Sequence, residues 1–178
     1  KNGNEFRSAN GAPGSRYWQN RADYTLQATI DTGENILKGA ETISYTNNSP
    51  ENLSSLWLQL DQNTYGKDAR SKFYSARAGN GYTDGYQFEN ITIEYKGKTL
   101  KADYIINDTR MQIRLPDALL SKEKIKINIK YHYTIPGDFG GRTDFFSTKN
   151  GKIYEIAQWY PRMCVYDDLE GWSTLPFL

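Results

Sequence analysis

Histidine and cysteine are almost missing from this chain, with His132 and Cys164 the single example of each. A catalytic zinc takes three protein ligands, usually drawn from His, Cys, Asp and Glu, and one histidine cannot build such a site. A serine or cysteine triad would need His132 as its base, and no nucleophile is placed beside it. A lone cysteine closes no internal disulfide, so cysteine usage neither demands nor excludes an oxidising compartment. An excess of one charge is missing too. Lys and Arg number 22 against 21 Asp and Glu, and a net charge of +1 provides no field to gather nucleic acid. The apolar runs are only a few residues long, far short of the roughly 18 that suggest a bilayer span. Nor is there a phosphate loop: Gly79-Asn80-Gly81 leads into Tyr82 and Thr83 and lacks the P-loop lysine.

What the chain has is rings and short periods. Aromatic residues make up 14% of it, against 38% hydrophobic residues in all, so the core is expected to be thin, with many rings half in water. Lys1 to Ser15 is polar, carries Gly3, Gly11, Pro13 and Gly14, and reads as an irregular arm. From Asp23 the period becomes two, with Tyr24, Leu26, Ala28 and Ile30 on one face. After the turn Asp31 to Asn35, Ile43 and Tyr45 alternate up to the stop at Asn47-Asn48-Ser49-Pro50, which predicts a hairpin. Leu56, Leu58 and Leu60 alternate with Trp57 and Gln59 in a third strand. Asp68 to Lys72 could form a short helix, and Gly79 to Gly85 reads as loop.

Further strands follow at Ile91 to Tyr95, Tyr104 to Ile106 and Met111 to Leu115, the last ending at Pro116. Ile125, Ile127, Ile129, Tyr131 and Tyr133 oppose Lys124, Lys126, Asn128, Lys130 and His132, which predicts an antiparallel strand with one wet side. Breaks at Pro136-Gly137 and Gly140-Gly141 precede a last strand from Ile153 to Trp159. Many short strands without long helices predict an all-β antiparallel sandwich or a curved, saddle-like sheet, as one β domain over residues 16–178.

Among residues that could carry chemistry, His132 lies on the lysine-bearing face and reads as a solvated surface histidine, and Cys164 as a small half-buried residue. Asp167, Asp168 and Glu170 are the densest acids. A glycosidase pair needs carboxyls held across a cleft, and these neighbours read as a polar turn before Gly171. The opening Lys1-Asn2-Gly3-Asn4 looks like a mature end. With the polar, tyrosine-rich strands and the sequons at Asn90 and Asn107, it suggests a secreted or periplasmic protein. The apolar stretch Trp172 to Leu178 suggests a boundary from which the chain continues toward a partner, with the stretch itself disordered or packed on a neighbour.

One segment resembles a known family. Ile156-Ala157-Gln158-Trp159-Tyr160-Pro161, then Arg162 to Tyr166, Asp167-Asp168 and Gly171-Trp172, resembles the end of the amino-terminal β domain of M1 zinc metallopeptidases, the aminopeptidase N group. Gly14 to Arg21 followed by Asp23-Tyr24-Thr25-Leu26 is similar to the opening of its secreted bacterial branch, and Leu56-Trp57-Leu58-Gln59-Leu60 fits between. The resemblance implies an amino-terminal domain that ends before the catalytic one. The family's zinc motif, His-Glu-x-x-His, and its Gly-x-Met-x-Asn strand are both absent here. It also implies a saddle that holds no cofactor itself, with zinc in the catalytic domain of the same polypeptide. That catalytic domain would be its partner, and the saddle would line a cleft for peptide substrate.

In the family a Gln-x-Glu arrangement lines that cleft, and its Glu holds the free amine of the substrate. Gln158 matches the Gln; Tyr160 stands where the acid would be, and a neutral phenol cannot pair with an ammonium as a carboxylate does. The rival reading is an aromatic-rich binding module, for carbohydrate, that uses Trp57 and tyrosines as a ring platform. Metal analysis of the 178-residue chain should find no stoichiometric zinc. About one zinc per chain, with ligands inside residues 1–178, would contradict this reading.

Overall fold

A computed structural model describes residues 3–73, 82–137 and 142–177. Gly79, Asn80 and Gly81 of the expected loop, the break at Gly140-Gly141 and the terminal Leu178 lie outside the described residues. The long strands are β1 (Arg21–Asp31), β2 (Ile36–Thr46), β3 (Leu53–Gln59), β4 (Gln87–Tyr95), β7 (Arg110–Leu119) and β8 (Lys124–Thr134). Shorter ones are β5 (Lys98–Lys101), β6 (Asp103–Asn107), β9 (Thr143–Thr148) and β10 (Gly151–Ile156), with two-residue pieces β11 (Arg162–Met163), β12 (Tyr166–Asp167) and β13 (Gly171–Trp172).

These strands form an open antiparallel sheet of order β1-β2-β8-β4-β5 and a second of order β11-β3-β7-β6, with hairpins β9–β10 and β12–β13. The architecture is all-β, as the periodicity predicts. Register explains the core, because paired residues share a face. Tyr24, Ile43, Ile127 and Ile93 form one row across the first sheet, and Leu26, Glu41, Ile129 and Ile91 the next. Leu56, Leu58, Met111 and Ile113 of the second sheet belong to the same buried cluster, so one core lies between two sheets.

Several boundaries differ from the sequence reading, each for a local reason. β7 continues through Pro116 because the pairing with β3 slips there, from Leu53 opposite Leu119 to Ser55 opposite Arg114. Proline has no N–H for the ladder, and an irregular stretch tolerates its loss. In place of the short helix expected over Asp68 to Lys72 there is a 3-10 turn, Arg70–Phe73, and a further 3-10 turn, Asp61–Tyr65, which the periodicity did not predict, follows β3. Trp57 is half-buried rather than displayed. Trp172 to Phe177 is neither loose nor apart from its own domain: Arg110 donates to the Thr174 carbonyl (2.6 Å) and the Phe177 amide to Thr109 Oγ1 (2.8 Å). Leu175 alone stands well out, 76% exposed. The amino-terminal arm is fastened by Arg7, whose Nε donates to both oxygens of Asp168.

The sharpest packing constraint is at Gly39, where the Tyr131 ring crosses the strand. A Cβ there would lie 2.3 Å from Tyr131 Cζ. Gly39→Ala should therefore destabilise the fold by about 1–3 kcal/mol in urea denaturation. Adding Tyr131→Leu should cost less on that background than on the native one; additive losses would show that the ring is not the obstacle.

Candidate functional site

The strand expected to run to Trp159 ends at Ile156, and Gln158 has a φ of 46°. A side chain in this left-handed region costs about 1–3 kcal/mol unless its surroundings hold it there. The hold comes from the interior. Gln62, 2% exposed in the first 3-10 turn, donates from Nε2 toward the carbonyls of Ala157 (3.0 Å) and Gln158 (3.1 Å) and toward Thr143 Oγ1 (3.1 Å). The Tyr86 hydroxyl adds a longer contact to the Gln158 carbonyl, and the Tyr131 hydroxyl one to the Trp159 carbonyl, each 3.4 Å.

Downstream, Arg162 makes two bonds to the buried carboxylate of Asp61 (2.8 and 3.0 Å), and the Met163 amide donates to the Tyr24 hydroxyl (2.9 Å). Burial lifts Asp61 above the ordinary carboxylate value even against the opposing charge of Arg162. The segment from Ala157 to Met163 is thus tied at both ends to the body of the domain.

The bend replaces the alternation expected of residues 158 to 160. Trp159 and Tyr160 do not point to opposite faces of a strand; their rings meet edge to face at 5.1 Å, and Tyr160 also abuts Tyr24 at 5.5 Å. Gln158 is half-buried, and its carboxamide has no hydrogen-bond partner among the described residues. The backbone is held while the side-chain donor and acceptor stay available. Such an amide can accept from and donate to a peptide backbone.

Glu41 was not singled out by the sequence reading. It is 3% exposed, neither carboxyl oxygen has a hydrogen-bond partner among the described residues, and burial pushes it up to about 9. Its charge would bear on the phenols of Tyr24, Tyr86 and Tyr131, the groups that touch the 158–163 segment. The signal was present in the sequence: Glu41 is in phase with Ile43 and Tyr45, an acid at a core position.

The other candidates are occupied. Asp167 caps the amides of Leu169 and Glu170, Asp168 holds Arg7, and His132 Nδ1 lies 3.1 Å from Glu89 on the outer face. Cys164 is 7% exposed, and burial pushes its thiol up to about 11, away from reactive thiolate. Among the described residues no three His, Cys, Asp or Glu side chains gather as a metal site. Rings do line one cavity of about 320 Å³, but they are Tyr17, Trp18, Tyr24, Tyr45 and Tyr166, not Trp57.

Comparison with known proteins gives no matching family model and no matching curated protein. Among solved structures, the chain is similar to an M1 zinc metallopeptidase from Deinococcus radiodurans, with 17% identity and a TM-score of 0.43 over 69% of this chain. A mutant of that organism's M1 enzyme bound to a Tyr-Ser-Ala substrate matches at 17% identity and 0.43 over 70%. A two-domain M1 mutant bound to L-tryptophan matches at 16% and 0.43 over 70%. The chain spans 22% of the length of each.

The buried acid sets a pH dependence. Between the ordinary glutamate value of 4.5 and about 9, the folded chain keeps a proton that the unfolded chain releases. Stability should therefore fall as pH rises across this window, by about 1.4 kcal/mol per unit from this group, on the order of 3 kcal/mol by pH 7. Glu41→Gln should match the native chain near pH 5 and exceed it increasingly toward pH 8.5 in denaturation experiments. A difference that does not change with pH would show that Glu41 is ionised in the fold.

Proposed function

We propose that this chain is the non-catalytic amino-terminal β domain of an M1-like zinc metallopeptidase, packing on the catalytic domain and lining its substrate cleft. The observation that carries the reading is the segment 156–172. It holds the residues of the family resemblance, and it presents a carboxamide with no hydrogen-bond partner among the described residues, on a backbone held by Gln62 and Tyr86. Under this reading Gln158 binds the peptide backbone and orients it, donating through its amide nitrogen and accepting at its oxygen. Tyr160, its ring packed edge to face on Tyr24, shapes the wall beside it and lacks the carboxylate that would pair with a charged amine. The zinc would polarise the scissile carbonyl and activate water from the catalytic domain. One histidine and a buried thiol do not fit that metal, and no three His, Cys, Asp or Glu side chains gather among the described residues. Aminopeptidase action and a secreted or periplasmic location belong to the same proposal.

In the protein joined to its catalytic domain, Gln158→Ala should lower kcat/KM by about 1–3 kcal/mol, the scale of a lost polar contact in a dry site. Tyr160→Glu should shift preference toward peptides with a free amino terminus, measured against N-acetylated ones at equal folded concentration. Unchanged kinetics for Gln158→Ala would remove that residue from the site and leave the domain a structural role.

A further inference from the structure

We infer that the first 3-10 turn is a clamp for the candidate site, and that Gln62 in it is a positioning residue that sets the conformation of Gln158. The inference rests on the peptidase reading for its consequence, though not for its geometry. Two adjacent residues of the turn grip opposite ends of one short stretch. Gln62 takes the carbonyls of Ala157 and Gln158, and Asp61 takes the guanidinium of Arg162. Between the two grips lie Trp159, Tyr160 and the buried Pro161.

The chemistry of position 62 is specific. The side-chain nitrogen of Gln62 faces three oxygens within 3.1 Å, and its own Oε1 is buried with no hydrogen-bond partner among the described residues. A carboxylate of the same shape would bring negative oxygen against two carbonyls, and an apolar side chain would leave the Ala157 carbonyl to the Thr143 hydroxyl (3.2 Å) and the Gln158 carbonyl to the longer Tyr86 contact. Only a donor suits this position. The same donors account for the positive φ, since the Gln158 carbonyl must turn inward to meet Gln62 and Tyr86. With the carbonyl turned in, the half-buried carboxamide is left without a hydrogen-bond partner among the described residues. A residue that reaches no substrate would thus decide where a substrate-contacting side chain stands.

The test compares Gln62→Glu, Gln62→Met, Gln158→Ala and the double variant Gln62→Glu/Gln158→Ala. In the 178-residue chain, NMR couplings and chemical shifts of residue 158 report its φ. Both Gln62 variants should move it out of the left-handed region while the amide signals of β2 and β8 stay in place. In the protein joined to its catalytic domain, Gln62→Glu should lower kcat/KM roughly tenfold, about as much as Gln158→Ala. The double variant should be no worse than Gln158→Ala alone, because the clamp acts through that side chain. An unchanged φ in either variant, or losses that multiply, would overturn the inference. If Gln158→Ala leaves the kinetics unchanged, the peptidase reading and the catalytic consequence of the clamp fail together. The φ at residue 158 then still decides whether Gln62 sets it.

Discussion

The carbonyl oxygens of Ala157, Gln158 and Trp159 are held by donors that come from the buried interior, and the candidate site depends on that constraint. Without Gln62, Tyr86 and Tyr131 the stretch after β10 would have no reason to keep a left-handed residue, since unpaired carbonyls in a bend turn to water as readily as to protein. With them, a loop acquires the precision of a strand. The same three donors join elements remote in sequence: Gln62 and Gln158 are separated by 96 positions, Tyr86 and Gln158 by 72. The two sheets must therefore be assembled before the site exists.

A thin core explains why tyrosine does this work. The interior of the first sheet carries Tyr45, Tyr131 and Tyr133 where a richer core would carry leucine. A buried phenol contributes apolar area and still offers a donor at its tip. Gly39 makes room for one of these rings, and Glu41, two residues on in the same strand, has no hydrogen-bond partner among the described residues. A carboxyl kept in such a place is a standing cost that grows with pH, and it lies among the phenols that touch the candidate segment. The buried acid and the candidate segment share Tyr24, Tyr86 and Tyr131 as neighbours.

The strands with a clean period of two were legible. β8 runs as its isoleucines and tyrosines predict, and β1, β2 and β3 differ from expectation by a few end residues. The side chains of β2, β3 and β8 face core and water in turn, which one sequence displays, whereas β1 is exposed from Gln27 to Ile30 despite its period. β5 and β9 were not legible: Lys98 to Lys101 is exposed throughout, and Thr143 to Thr148 mixes buried and exposed positions without a period. The extension of the last strand to Trp159 failed for a different reason. Ile153 to Trp159 has strand composition, but its end obeys acceptor geometry imposed by Gln62, and no local pattern records a bond made 96 residues away. The resemblance located Gln158 and Tyr160; it could not tell how their side chains would stand.

The central claim is that Gln158, on its tethered backbone, meets a peptide in a cleft shared with a catalytic domain. A crystal structure of the two domains together, with a non-hydrolysable peptide analogue bound, tests this most directly. The account predicts the Gln158 carboxamide within hydrogen-bond distance of the peptide backbone, about 3 Å, with the Ala157 and Gln158 carbonyls still on Gln62. A peptide bound away from residues 157–160, or a catalytic domain packed on another face of the β domain, would contradict it.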